Sequence, residues 1–203
     1  MDPLHAISVP QPEFSEAQAS ATLAEKFELR GELQSLISER DQNFRVVTPG
    51  QERFVFKIAN RSEPRESTDF QIKALLHLEA KGCEVPTPCI RRAVNGDDSA
   101  TIGEGDDEHI CRVVSFLNGE LLSEVNTTPE LARHFGECAA QLDIALFDFE
   151  HRGQAQSLLW DLQRASELRD ILGHIGDAAM RDAATTCLDD FDTRVAPVLP
   201  GLR

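Results

Sequence analysis

The chain has 203 residues, enough for one large domain or two small lobes around a real core. Against 20 Lys and Arg stand 35 Asp and Glu, and the formal net charge of −15 argues against a general nucleic-acid binder, which needs a basic face against phosphates. No apolar run approaches the roughly 20 residues of a membrane span, and MDPLHAISVPQPEF lacks the basic start and apolar stretch of a signal peptide, so a cytoplasmic protein with no membrane partner is expected.

The first element is a helix in FSEAQASATLAEKFEL, where Ser15 caps, Gln18 closes a capping box and Phe14 meets Ala19 as a staple. GELQSLIS and FRVVTP read as strands joined by the polar turn ERDQN. PGQE is a tight turn and RFVFKIAN the next strand, which makes a three-stranded antiparallel meander. After the polar link RSEPRES, TDFQIKALLHLEAKG reads as a helix with Phe70, Ala74, Leu75 and Leu78 on one face and Gly82 just past its end. PTPCIRRAV is extended, NGDDSATIGEGDDEH is a turn region rich in glycine and acid, and ICRVVSFL is a strong strand. Glu104, Asp106, Asp107 and Glu108 lack the alternating ligand spacing of a calcium loop and read as a solvated hairpin tip.

From Thr128 the pattern turns helical. Thr128 caps, Pro129 takes the first helical position, and Leu131, Phe135, Cys138, Leu142, Ala145 and Phe149 form an apolar stripe. SLLWDLQRASELRDIL and AAMRDAATTCLDDFDTRVAPVL supply two more helices. Strands with one intervening helix, followed by helices only, signal an α+β fold in two lobes.

Few residues offer chemistry. The five cysteines are scattered without a CxxC pair, so reduced, mostly buried thiols are expected rather than zinc or a disulfide framework. Cys138 lies four residues after His134 on one helix, yet it belongs to the apolar stripe and reads as a packed thiol. No GxSxG, HExxH or GxxxxGK[ST] motif occurs. Lys57 stands out because it interrupts an apolar strand between Phe56 and Ile58. A lysine on the third strand of a meander, followed by a helix, is one half of a kinase-like phosphate site. The same residue also suits an edge strand, where lysine discourages unwanted pairing.

The ordered set LISERDQNF, FVFKIAN, DFQIKALLHL, VPTP, CRVVSFLNGELL and LLWDL resembles the aminoglycoside phosphotransferase/choline kinase-like superfamily. Within it the chain is most similar to hydroxylysine kinase-like proteins, including kinase domains fused to class III aminotransferases. The resemblance runs from about Phe14 to the end of the chain. It implies a protein-kinase-like two-lobe fold: an N-lobe over residues 1–117, with an antiparallel sheet and one main helix, and the first helices of a C-lobe over 118–203.

It also implies a nucleotide site. Lys57 takes the place of the lysine that meets the nucleotide phosphates, oriented by Asp69 or Gln71 on the following helix. Ser38 and Asn43 belong to the nucleotide-covering turn, where Arg40 either reaches the phosphates or pairs with Asp41. Ser115, Phe116 and Leu117 form the hinge, the first offering its carbonyl and the last its N–H to a purine. The implied cofactors are ATP or GTP with Mg2+, and the implied substrate is a small hydroxyl-bearing amine or amino-acid-like compound.

Members of this family complete the reaction with an HxDxxxxN loop. None of the six histidines begins one; His174, in HIGDAAMRD, comes nearest and reads as a surface residue. No catalytic or metal-ligating residue is therefore assigned, and the chain is expected to stop short of that loop and to be inactive by itself. An exposed apolar face on the first C-lobe helix, with self-association through it, follows from that expectation. The alternative is a non-catalytic interaction or regulatory module that retains the fold.

Overall fold

The structure, a computed structural model, describes residues 9–154 and 161–201, which fall into two compact units. The LLWDL match and the start of the helix expected from Ser157 lie largely in 155–160, outside the described residues.

The first unit is built on a six-stranded sheet. Its strands are β1 (Glu32–Leu36), β2 (Gln42–Val47), β3 (Arg53–Ile58), β4 (Ile90–Arg91), β5 (Ala100–Ile102) and β6 (His109–Ser115). The spatial order is β1-β2-β3-β6-β4, β5 pairing with the first half of β6, and every pairing is antiparallel. The expected meander is present as β1–β3. The acidic turn closes the β5–β6 hairpin, with a 3-10 turn at Gly105–Asp107. β3 lies between β2 and β6, so Lys57 is on a central strand, and the edge-strand reading is wrong.

Period-two alternation gives the sheet two unlike faces. Phe44, Val46, Phe56, Ile58, Cys111 and Val113 point to the back and pack against Ala19, Leu23 and Phe27 of helix α1 (Glu16–Phe27) in one apolar core. Phe27 meets Phe56 edge-on, with ring centroids 6.3 Å apart. Helix α1 starts as expected, with the reciprocal capping box between Ser15 and Gln18.

Helix α2 (Arg65–Lys81) ends in Gly82, whose φ of 65° suits a residue without Cβ. It begins three residues earlier than TDFQIK suggests. Pro64 takes the N-cap position and Glu66 falls in the first turn, where a carboxylate favours the helix dipole, so RES joins the helix rather than the link.

Helix α3 (Pro129–Leu146) is capped by Thr128, whose Oγ1 accepts the Leu131 N–H. Its C-terminal end is tied to α2 by the Lys81–Asp148 ion pair at 2.6 Å and by the Phe149 ring against Phe70 and His77. The stripe predicted for this helix is only partly covered: Leu131, Leu142, Ala145 and Phe149 are half-buried, whereas Phe135 is 68% exposed. Ile144 and Phe147 also stand in solvent. Cys138 is exposed along with Cys89 and Cys187, correcting both the packed-thiol reading and the expectation of mostly buried thiols. Around Phe135 and Cys138 the stripe has no covering layer among the described residues.

Cys111 alone is fully buried, and burial pushes its thiol up to about 12. Under native conditions Ellman's reagent is expected to label Cys89, Cys138 and Cys187 quickly and to leave Cys111 unreacted until denaturant is added. Rapid labelling of Cys111 would mean that β6 presents the opposite face.

In the second unit, Leu162–His174 is a run of 3-10 turns broken at Arg164 (φ −108°, ψ 16°), not the continuous helix expected from its apolar spacing. The Asp161 carboxylate accepts the Gln163 N–H two residues on and tightens the first turn. Helix α4 (Ala178–Asp190) follows, capped by Asp177, and runs into a π-turn at Phe191–Val195. Arg169 ties the unit together through Asp192 and Asp189 at 2.6 and 2.8 Å. His174 is exposed at the end of the 3-10 run, as its sequence context suggested.

Candidate functional site

The front face of the sheet is polar where the back face is apolar. Register places Asn43 opposite Lys57, and Lys57 opposite Arg112, so the three side chains form one row across β2, β3 and β6. The next row is Arg45, Val55 and Val114. Helix α2 faces this surface, and between them lies a cleft of about 550 Å3. Lys57 and Arg112 supply its cations, Gln71 its amide, and Val55, Phe70, Ala74, Leu75, Val114 and Leu117 its apolar walls. The volume is that of a small-molecule site, and the mixture of apolar walls with a few convergent polar groups is the usual composition of one.

The electrostatics of the row are unusual. Like charges directly opposite on neighbouring strands destabilise a sheet, yet Lys57 and Arg112 stand so placed. Burial first, and the Arg112 guanidinium second, hold the Lys57 ammonium below its ordinary range, while Asp41 pulls the other way. Arg112 is almost wholly buried, and desolvation lowers its pKa as well, against the pull of Asp41 and Glu63. Both carboxylates are already engaged. Glu63 pairs with Arg40 at 2.9 Å, and Asp41 accepts the Asn60 N–H at 3.2 Å. Among the described residues, neither cation has a carboxylate within ion-pair distance. The Asn43 amide oxygen is likewise buried without a partner.

The residues expected to orient Lys57 are placed otherwise. Gln71 Oε1 accepts a hydrogen bond from Arg112 Nη2, and Asp69 Oδ2 lies 3.0 Å from His151 Nε2. Arg40 pairs with Glu63 rather than Asp41, because the turn between β1 and β2 swings its guanidinium toward the start of α2. Ser38 lies in that turn, where its carbonyl accepts from the Gln11 side chain, and it does not line the cleft. At the hinge, Ser115 and Leu117 line the cleft, and the Leu117 N–H makes no backbone hydrogen bond among the described residues. The Phe116 ring instead sits beneath the Arg45 and Arg53 guanidiniums, 5.2 and 5.8 Å from its centroid. Thus Lys57, Gln71, Ser115 and Leu117 line the cleft, while Asn43 stands beside Lys57 in the sheet without lining it, and Ser38, Asp69 and Phe116 do not line it either.

Arg112 escaped the sequence reading, although the signal existed. It interrupts the apolar run ICRVVSFL just as Lys57 interrupts RFVFKIAN.

An apolar slot with two cations in its wall has the chemistry to accept a flat apolar group joined to an anion. Among the described residues no group of three or more His, Cys, Asp or Glu side chains is placed to hold a metal ion, so no ligand is assigned to Mg2+.

A family model described as Phosphotransferase enzyme family matches residues 32–199. Among curated relatives, a hydroxylysine kinase of Mus musculus is 28% identical over 209 residues, covering 95% of this chain and 56% of that protein. A hydroxylysine kinase of Bos taurus is 27% identical with the same coverage. The chain therefore spans little more than half the length of these relatives. Two solved structures share the fold. An amicoumacin kinase in complex with AMP-PNP, Ca2+ and Ami has a TM-score of 0.62 at 13% identity, covering 79% of this chain and 53% of its own. A microcompartment-associated aminopropanol kinase has a TM-score of 0.57 at 14% identity, covering 74% and 46%. Helix and antiparallel sheet are arranged as in these kinases.

Proposed function

Because the chain belongs to the phosphotransferase enzyme family, we propose that it carries the nucleotide-binding part of an ATP- or GTP-dependent small-molecule kinase of the hydroxylysine kinase type. Residues 1–117 act as the nucleotide-binding lobe, and 118–203 begin a helical lobe. The acceptor is a hydroxyl of a small amine or amino-acid-like compound, a reading supported by the names of the relatives. We place the protein in the cytoplasm, in keeping with its five free thiols.

The observation that carries this reading is Lys57 on a central strand, without a carboxylate partner among the described residues, at the end of an apolar cleft. Its ammonium neutralises phosphate charge. The cleft edge at Ser115 and Leu117 offers backbone groups to the base, and the apolar walls exclude water from it. Mg2+ brought in with the nucleotide would share the neutralisation of phosphate charge with Lys57, and none of the described residues is assigned to hold it. No His-x-Asp-x-x-x-x-Asn run occurs in the 203 residues, so these residues on their own bind nucleotide without transferring phosphate.

Calorimetric titration of the chain with ATP and GTP in the presence of Mg2+ tests the reading. Saturable binding of one of them at micromolar to submillimolar Kd is expected, with turnover of hydroxylysine or ethanolamine at background. Absence of binding to either nucleotide would sink the proposal and favour a non-catalytic interaction module, for which the exposed side chains of Phe135, Ile144 and Phe147, on and just after α3, are available.

A further inference from the structure

We propose that Arg112 is a second phosphate-binding residue, which clamps the nucleotide polyphosphate together with Lys57 and is itself held in place by Gln71. This inference rests on the function proposed above and deepens it.

Arg112 lies directly across from Lys57 on the neighbouring strand, and both side chains line the same cleft. The guanidinium is almost fully desolvated, at 4% exposure. It has five N–H donors, and among the described residues only the bond from Nη2 to the Gln71 side chain is made. A buried guanidinium is ordinarily paired with a carboxylate. Here the two carboxylates that act on it, Asp41 and Glu63, stand beyond ion-pair distance, Asp41 accepting the Asn60 N–H and Glu63 pairing with Arg40. The fork therefore keeps donors without a protein partner among the described residues, on a side chain that lines the cleft beside Lys57.

In a chain of net charge −15, two unpaired cations on adjacent strands of a desolvated wall are a costly arrangement. A bound polyanion removes that cost, since each cation then gains an opposite charge and the two no longer face each other uncompensated. The planar fork also suits two oxygens of one phosphate, or one oxygen from each of two neighbouring phosphates. Gln71 explains why α2 presents an amide at this point. An amide oxygen fixes the guanidinium without neutralising it, whereas a carboxylate would consume the charge that the phosphates need.

The test compares ATP, ADP and adenosine by calorimetry on the wild-type chain, Lys57→Met, Arg112→Met and Arg112→Lys, each checked for folding by circular dichroism. GTP, GDP and guanosine take their place if GTP is the nucleotide bound. Arg112→Met is expected to weaken the triphosphate and diphosphate about 10- to 100-fold, the range for charge-assisted hydrogen bonds, and to leave the nucleoside unchanged. Arg112→Lys, which keeps the charge and loses the fork, is expected to fall between wild type and Arg112→Met. Wild-type triphosphate affinity in a folded Arg112→Met, with Lys57→Met defective, overturns the inference and leaves the proposed function standing. Equal losses for triphosphate and nucleoside overturn it too, because they mark a residue that only supports the fold. Should Arg112→Met not fold, Arg112→Lys decides: a selective loss for the phosphorylated ligands supports the clamp, and unchanged affinity overturns it. Failure of the wild-type chain to bind any nucleotide overturns the proposed function and this inference with it.

Discussion

Lys57→Met is expected to raise the stability of the ligand-free chain and, in the same protein, to weaken nucleotide binding about 10- to 100-fold. The two signs have one cause. The lysine sits half-buried on the central strand, opposite a buried arginine and with no carboxylate at ion-pair distance among the described residues. Methionine keeps roughly the length and apolar character of the stem in the cleft wall while removing the ammonium. Replacing a poorly compensated buried charge by an apolar group of similar volume is often stabilising. A gain of about 1 kcal/mol, discounted for the solvent that still reaches Lys57, corresponds to about 2–4 °C in Tm for a domain of this size.

The pH dependence has a definite direction. The folded state holds the Lys57 pKa below the ordinary 10.5, so just under that value the unfolded chain binds more protons. Stability contributed at this site therefore rises with pH through the window below 10.5, and Lys57→Met removes that slope. Thermal melts from neutral pH to about pH 10, with and without nucleotide, read both effects. A lower Tm for Lys57→Met would mean that Lys57 is a structural lysine with an unnoticed partner, and unaltered nucleotide affinity would remove it from the site.

Phe56→Ala is expected to be the most damaging of the single changes considered, costing about 3–5 kcal/mol. Phe56 is fully buried in the back core, between the sheet and α1, against Phe27. Removing the ring leaves a cavity that neither a central strand nor a capped helix can easily collapse to fill. Domains of ordinary stability have only about 5–15 kcal/mol in total, so urea denaturation should show a midpoint shifted strongly downward with little change in slope. A loss below about 1 kcal/mol would show that α1 does not close the back of the sheet. Lys57 is the next residue along the same strand. One position therefore separates a substitution that stabilises and disables from one that unfolds.

That alternation also explains how far the sequence could be read. The meander, the first two helices, the Ser15–Gln18 cap and the Gly82 stop were legible because each depends on residues within a few positions of one another. The α2 start was misplaced because proline at an N-cap left RES without an obvious boundary. The stripe on α3 was correctly seen as apolar, but whether anything covers Phe135 or Cys138 is a matter of neighbours far away in the chain.

The sequence alone determined the class of the fold, the anomaly of a lysine inside an apolar strand and the ordered motifs that resemble the phosphotransferase family. Periodicity and motif order are local properties, carried by side-chain size and polarity along one segment. Only the tertiary structure decided which charges share a space. Strand order put β6 beside β3, register set Arg112 opposite Lys57, and the pitch of α2 turned Gln71 toward the arginine and Asp69 toward His151. Pairing between strands more than fifty residues apart leaves no trace in either segment, so the interruption of ICRVVSFL by Arg112 could be seen in the sequence but its place opposite Lys57 could not.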